Sequence, residues 1–446
     1  MGAGSASSLP SWKTYLTSND AVATGGVRQE PAPPNPPTPE GSSTLKPAAR
    51  PLRVVFAVVV TLAVLSPAAL VISIVMADSA PKLSSPAPIA PAVLGPHRVV
   101  PAPDVGALGL PPAPVNVYAN TLSGVVPCPL CNLPPRVYVP NNRDNTVDVI
   151  DPLTMRVIDH FAVGAGPHHI TPSWDMSVLY VENELSGDLT VIDIQTGKPT
   201  GQRIKIPRPY NLYFTPDGTK AIDVVEAYSQ LEFRDPHTWA LLGTVGIPWY
   251  GADHLDFSAD GSYLLLSSEY RGYVMKIDTV NMRYVGDLYV GGCPIDIKLS
   301  PDGTVFYVTN QCLGVNDGVS VIDPNTMKQI AFIKTGRGAH GLQVSRDTTK
   351  LYVSNRLEGT FSVIDFATRT VVAKWQIPGG GSPDMLQLNP DGTQLWASGR
   401  YNHVIYVMDT RTGALINKIA VGNEDHGITY FPNVGLHSLG HNGVYR

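Results

Sequence analysis

The chain has 446 residues and a formal net charge of −5, with 15% charged and 43% hydrophobic residues. No basic field is present to attract phosphates, which argues against nucleic acid as a partner. Glycine and proline stand at 41 each; the prolines crowd the N-terminal third and the glycines lie further on, which separates a disordered front from a turn-rich β remainder.

Residues 1–53 read as a disordered cytoplasmic tail. Pro31, Pro33, Pro34, Pro36, Pro37 and Pro39 fall close together among Gly, Ser and Ala stretches, with too little apolar surface to offset the entropy of ordering. Val54–Met76 carries no charge over twenty-three residues, enough helix to span a bilayer core. Pro67 is tolerable inside such a helix. Lys46, Arg50 and Arg53 precede the run, so the positive-inside rule places the N-terminus in the cytoplasm and the rest outside the cell membrane. A cleaved signal peptide is the rival, but its apolar core is normally shorter and nearer the chain start. Residues 77–135 contain fourteen prolines and read as an extended extracytoplasmic linker, ending at the Cys128–Cys131 pair.

From residue 136 to 446 the chain repeats itself. Val149-Ile-Asp151 recurs with its aspartate at Asp193, Asp235, Asp278, Asp323, Asp365 and Asp409, at separations of 42, 42, 43, 45, 42 and 44. Each unit holds a short apolar run, an Asp-Gly turn such as Ser300-Pro-Asp-Gly303, a second run, a polar loop, the Val-Ile-Asp run and a fourth run. Asp-Gly between alternating runs signals a hairpin. Four strands per ~42 residues without helix is the grammar of a propeller blade. The expected fold is therefore all-β: a seven-bladed propeller after one transmembrane helix and a Pro-rich stalk. The first unit lacks its innermost strand and His426–Phe431 supplies it, so the C-terminal strand closes the ring.

Ser300-Pro-Asp-Gly303, Tyr307-Val-Thr-Asn310, Val321-Ile-Asp323 and Thr335-Gly336 run in order through one blade. This resembles the YVTN, or YncE-like, family of β-propeller repeats, over about Arg136–Phe431. The resemblance implies the fold and a bacterial or archaeal, extracytoplasmic, here membrane-anchored, member. It implies little about activity, because the motif consists of turn and packing residues.

The cysteines lie on the expected outer side, where disulfides persist. Counting outward from the Ser300–Gly303 turn sets Cys293 opposite about Gln311, which makes a Cys293–Cys312 bridge reasonable. Cys128 and Cys131 are close enough for a local bridge, and cross-pairing stays open.

Aligning the starts of the innermost strands gives two columns at the channel mouth. One holds His168, Tyr210, Asp253, Ile295, His340, Asp384 and His426; the other holds His169, Asn211, His254, Asp296, Gly341, Met385 and Gly427. Five of the eleven histidines fall in these positions. Convergent imidazoles suit a transition metal such as Cu, Zn or Fe, with His168, His169, His254, His340 and His426 as the candidate ligands. Tyr210, Asn211, Asp253, Asp296 and Asp384 are candidate ligand-binding residues, and the bland alternative is a set of hydrogen-bonded strand ends. The repeated Asp of Val-Ile-Asp is a turn cap, since a single site needs no sevenfold copy. Two functions stay open: a platform binding a protein or small-molecule partner, or a metal-dependent oxidoreductase or lactonase-like hydrolase.

Overall fold

A computed structural model describes residues 116–311, 316–441 and 443–446. The expected tail, the expected transmembrane run and the first part of the Pro-rich segment lie outside the described residues, as does Cys312. Among the described residues no helix is long and apolar enough to cross a membrane.

The described chain forms seven four-stranded antiparallel sheets. Blade 1 combines Thr429–Phe431 with Arg136–Asn141, Thr146–Asp151 and Arg156–Ala162. The following blades take four successive strands each, with innermost strands Pro167–Pro172, Asn211–Phe214, Ala252–Phe257, Pro294–Leu299, Ala339–Val344 and Leu386–Leu388. Ring closure is the expected one: Phe431 pairs with Arg136, Tyr430 with Val137 and Thr429 with Tyr138. The closing strand is shorter than the sequence suggests, and its upstream end continues only as an isolated bridge between Asp425 and Asn141.

Blades cohere through apolar faces packed against their neighbours. One cluster joins Ile222, Phe233, Leu255, Phe257, Leu264 and Met275, all buried, across blades 3 and 4. The blade aspartates behave as turn caps: Asp193 accepts from the Thr196 N–H and hydroxyl, and Asp365 and Asp409 repeat the pattern with Thr368 and Thr412. Side chains on inner strands also accept from the next blade's backbone. Asp256 takes the Leu299 N–H at 2.7 Å, Asp296 the Leu342 N–H at 2.8 Å and Gln387 the Tyr430 N–H at 2.9 Å. Each satisfies a buried donor on the channel side of a neighbour, where an unpaired N–H is costly.

The face carrying the Asp-Gly turns is covered by both ends of the described chain. Val117 N–H donates to the Pro301 carbonyl and the Tyr118 hydroxyl to the Leu299 carbonyl, so the last part of the Pro-rich segment packs on the propeller. Cys128 and Cys131 are disulfide-bonded there. After Phe431 the chain turns inward. His437 stacks on Trp174 with ring centroids 3.7 Å apart, Gly440 bridges to Tyr213, and Leu439 and Val444 join the core of blades 3 and 4. Arg446 donates to Asp256 at 2.8 Å. The tail thus enters the ring from the turn face. In blade 5 the Gln311 N–H donates to the Cys293 carbonyl, which is the register expected for that hairpin.

Neighbouring inner strands approach closely at Gly341, where an added Cβ would meet the Asp384 carbonyl oxygen at 2.4 Å. That atom is backbone and cannot swing away. Gly341→Ala is expected to destabilise the propeller by roughly 1–3 kcal/mol, read as a lowered midpoint in thermal or urea unfolding.

Candidate functional site

The innermost strands do not alternate regularly at their starts. Register shifts occur between Pro167 and Ile170, Ala252 and Leu255, Pro294 and Ile297, and Ala339 and Leu342. Such bulges place two residues opposite one and re-aim side chains. This lets adjacent residues such as His168 and His169 both face the channel centre, which regular alternation would forbid.

Six histidines collect there: His168, His169, His254, His340, His426 and His441, all buried. Ring centroids of His168 and His426 lie 4.4 Å apart, those of His169 and His426 4.7 Å, and those of His169 and His441 4.0 Å. Two groups of three have ligand atoms all within 4.8 Å of one another: His168, His169 and His426, and His169, His254 and His441. Either group could hold a metal ion. The Nε2 atoms of His168, His169, His254 and His426, and the Nδ1 atoms of His169 and His441, are buried without a hydrogen-bond partner.

His340, expected among the ligands, is in neither group. Its Nδ1 lies 2.9 Å from Asp384 Oδ1. Asp384 is the hub of the cluster. Its Oδ1 accepts from Arg356 Nε at 2.9 Å and its Oδ2 faces His426 Nδ1 at 2.8 Å. Arg400 Nη1 also approaches that Nδ1, at 3.1 Å; in the tautomer that donates from Nδ1 to the carboxylate, Nε2 is left for a ligand role. Carboxylates behind metal-binding imidazoles do this.

The other sequence-derived residues divide. Tyr210 packs on His168 with ring centroids 4.4 Å apart. Asn211 donates to the Asp253 carbonyl and lies 3.2 Å from His254 Nδ1. Asp253 Oδ1 stands 3.4 Å from His254 Nε2. Asp296 is taken up structurally by the Ile297 and Leu342 N–H groups and Lys298 Nζ. The sequence columns missed His441, whose Nε2 lies 3.0 Å from His254 Nδ1. It belongs to the tail, which has no counterpart in the repeat. The available signal in the sequence was the Asn-Gly dipeptide at positions 442–443, a common turn former.

Burial governs the charge states. It pulls His168, His169, His254, His426 and His441 well below the usual imidazole value, with neighbouring histidines or Arg400 adding to the effect. Burial, then Arg356, lowers His340 to about 4. Burial works to raise Asp384, but Arg356, His340 and His426 outweigh it and hold the carboxyl well below its usual range. Asp253 goes the other way: burial, then Glu269 and Glu226, raise it well above that range. The site at neutral pH is a set of neutral imidazoles around one ionised carboxylate, and neutral imidazole is the metal-binding form.

A family model of YNCE-like beta-propellers matches residues 105–433. The chain belongs to this family. No curated protein matches it. Among solved structures, this YNCE-like propeller is similar to a functionally unknown protein from Desulfotomaculum acetoxidans, at 19% identity over 66% of this chain and 98% of that one, with a TM-score of 0.57. It is similar to a putative 6-phosphogluconolactonase from Bacteroides uniformis, at 17% identity over 67% and 99%, TM-score 0.54. It is also similar to hydrazine synthase of Kuenenia stuttgartiensis, at 18% identity over 59% and 92%, TM-score 0.52. At these identities the likeness is one of fold.

The depressed histidine values have a direction in stability. A group with a lowered folded-state value binds protons more readily when unfolded, so acid favours the unfolded chain. For His340 the stabilisation is complete above the ordinary value of 6.5 and is lost as pH falls toward about 4. Its contribution is on the order of 3 kcal/mol. The unfolding midpoint of metal-free protein should fall steadily across that window, and His340→Asn should flatten the slope.

Proposed function

We propose that this YNCE-like propeller binds a transition-metal ion in a closed histidine site at the centre of its ring. The observation that carries this is the convergence of His168 and His169, from the inner strand of blade 2, and His426, from the segment before the closing strand, with ligand atoms within 4.8 Å of one another and Nε2 atoms that are buried and unpartnered. Leaving a buried polar atom unpaired costs about 1–3 kcal/mol each; an ion satisfies several at once. An all-imidazole set favours Cu, Zn, Ni or Fe over Mg or Ca. Asp384 supports the set by orienting His426.

The same site serves either expected function, with the ion as the platform's ligand or as an enzyme's cofactor. The near-complete burial of the histidines favours holding an ion over admitting a bulky substrate. In this proposal the propeller stands outside the cell membrane, tethered by Val54–Met76 with the N-terminus cytoplasmic. Support comes from the charge-free run and the basic residues before it.

Elemental mass spectrometry of the purified protein, with and without reconstitution, tests the metal site. At least about one equivalent of Cu, Zn or Fe is expected, and a His168→Ala/His426→Ala variant should hold about one equivalent less than native protein. Asp384→Asn should keep the ion but weaken affinity by roughly 10–100-fold. Absence of metal from native protein after incubation with Cu and Zn salts would refute the proposal.

A further inference from the structure

The two histidine groups share one member. His169 belongs both to the set with His168 and His426 and to the set with His254 and His441. It is also the histidine whose two ring nitrogens are both buried and unpartnered. Its neighbours' rings surround it: His168 at 5.0 Å, His426 at 4.7 Å, His254 at 5.5 Å and His441 at 4.0 Å between centroids. A Cβ built on Gly427 would stand 3.0 Å from His169 Nδ1, so that edge of the ring faces the His426 segment. Every other member keeps an unpartnered nitrogen as well: Nε2 of His168, His254 and His426, and Nδ1 of His441.

From this we infer that the centre is dinuclear, with the imidazole of His169 bridging two metal ions, one held with His168 and His426 and one with His254 and His441. The inference rests on the metal-binding reading and extends it to a second ion, whose site requires the C-terminal tail. Each ion forms one bond to a ring nitrogen of His169, and the second displaces the remaining ring proton to solvent. Such an all-nitrogen ligand set suits Cu and Zn among the transition metals that imidazole binds. The two triplets differ in construction, since one comes from the blade 2 inner strand and the segment leading into the closing strand while the other takes a ligand from the tail beyond that strand.

Titration of metal-free full-length protein with Cu(II), followed by electron paramagnetic resonance, tests the bridge. About two equivalents should bind, and the doubly loaded protein should show a spin-coupled spectrum instead of two ordinary Cu(II) signals. His441→Ala should bind about one equivalent with an uncoupled mononuclear spectrum. Native protein binding a single equivalent, or two with independent signals, would overturn the bridge while leaving the metal site standing. Native protein binding none would overturn both. Because the native spectrum is itself diagnostic, the test survives a variant that fails to fold.

Discussion

The pairing of Thr429–Phe431 with Arg136–Asn141 is the constraint on which the rest depends. A row of blades with free ends has two exposed strand edges and no fixed axis. Once this pairing forms, every inner strand is aimed at one line, and the side chains at the strand starts must meet. Apolar faces between blades supply most of the cohesion. The carboxylate and amide links from Asp256, Asp296 and Gln387 to the next blade's N–H groups then set the spacing of the inner strands.

Within that ring, the histidine cluster is a product of irregular backbone. The bulges at the strand starts turn two successive residues inward, and small residues such as Gly341 and Gly427 make room for the neighbours. Six imidazoles crowded together would repel if protonated, so burial and mutual proximity keep them neutral. Asp384 holds the one firm negative charge and is answered by Arg356. Asp253, facing other carboxylates, is held toward its neutral form. The separation of these two acids into opposite states follows from what each one faces.

Much of this was legible in the sequence because repetition amplifies weak signals. The Val-Ile-Asp caps and Asp-Gly turns gave blade number, strand order and the closing strand. Aligning strand starts brought five of the six central histidines onto one list. The remainder needed three dimensions. His441 lies in a tail that follows the last repeat, so no column could hold it. His340 and Asp296 share columns with the histidines of the two ligand groups, yet one is drawn to Asp384 and the other to its neighbour's backbone, because each column fixes height in the channel and leaves the local partner open. The reach of Arg356, which follows the second strand of blade 6, to Asp384 at the start of blade 7 has no sequence period at all. The expected transmembrane run, and Cys312 of the expected Cys293–Cys312 pair, fall outside the described residues.

The closing strand also sets an order of events in time. Synthesis delivers the chain from its N-terminus, so Arg136–Asn141 appears first and its inner partner only after six further blades. For that whole interval blade 1 is a three-stranded sheet with an open inner edge, attractive to any other extended chain nearby. A propeller built this way depends on something to guard that edge until its own last strand arrives, and a nascent chain stalled before Thr429 would be left ready to associate with its neighbours.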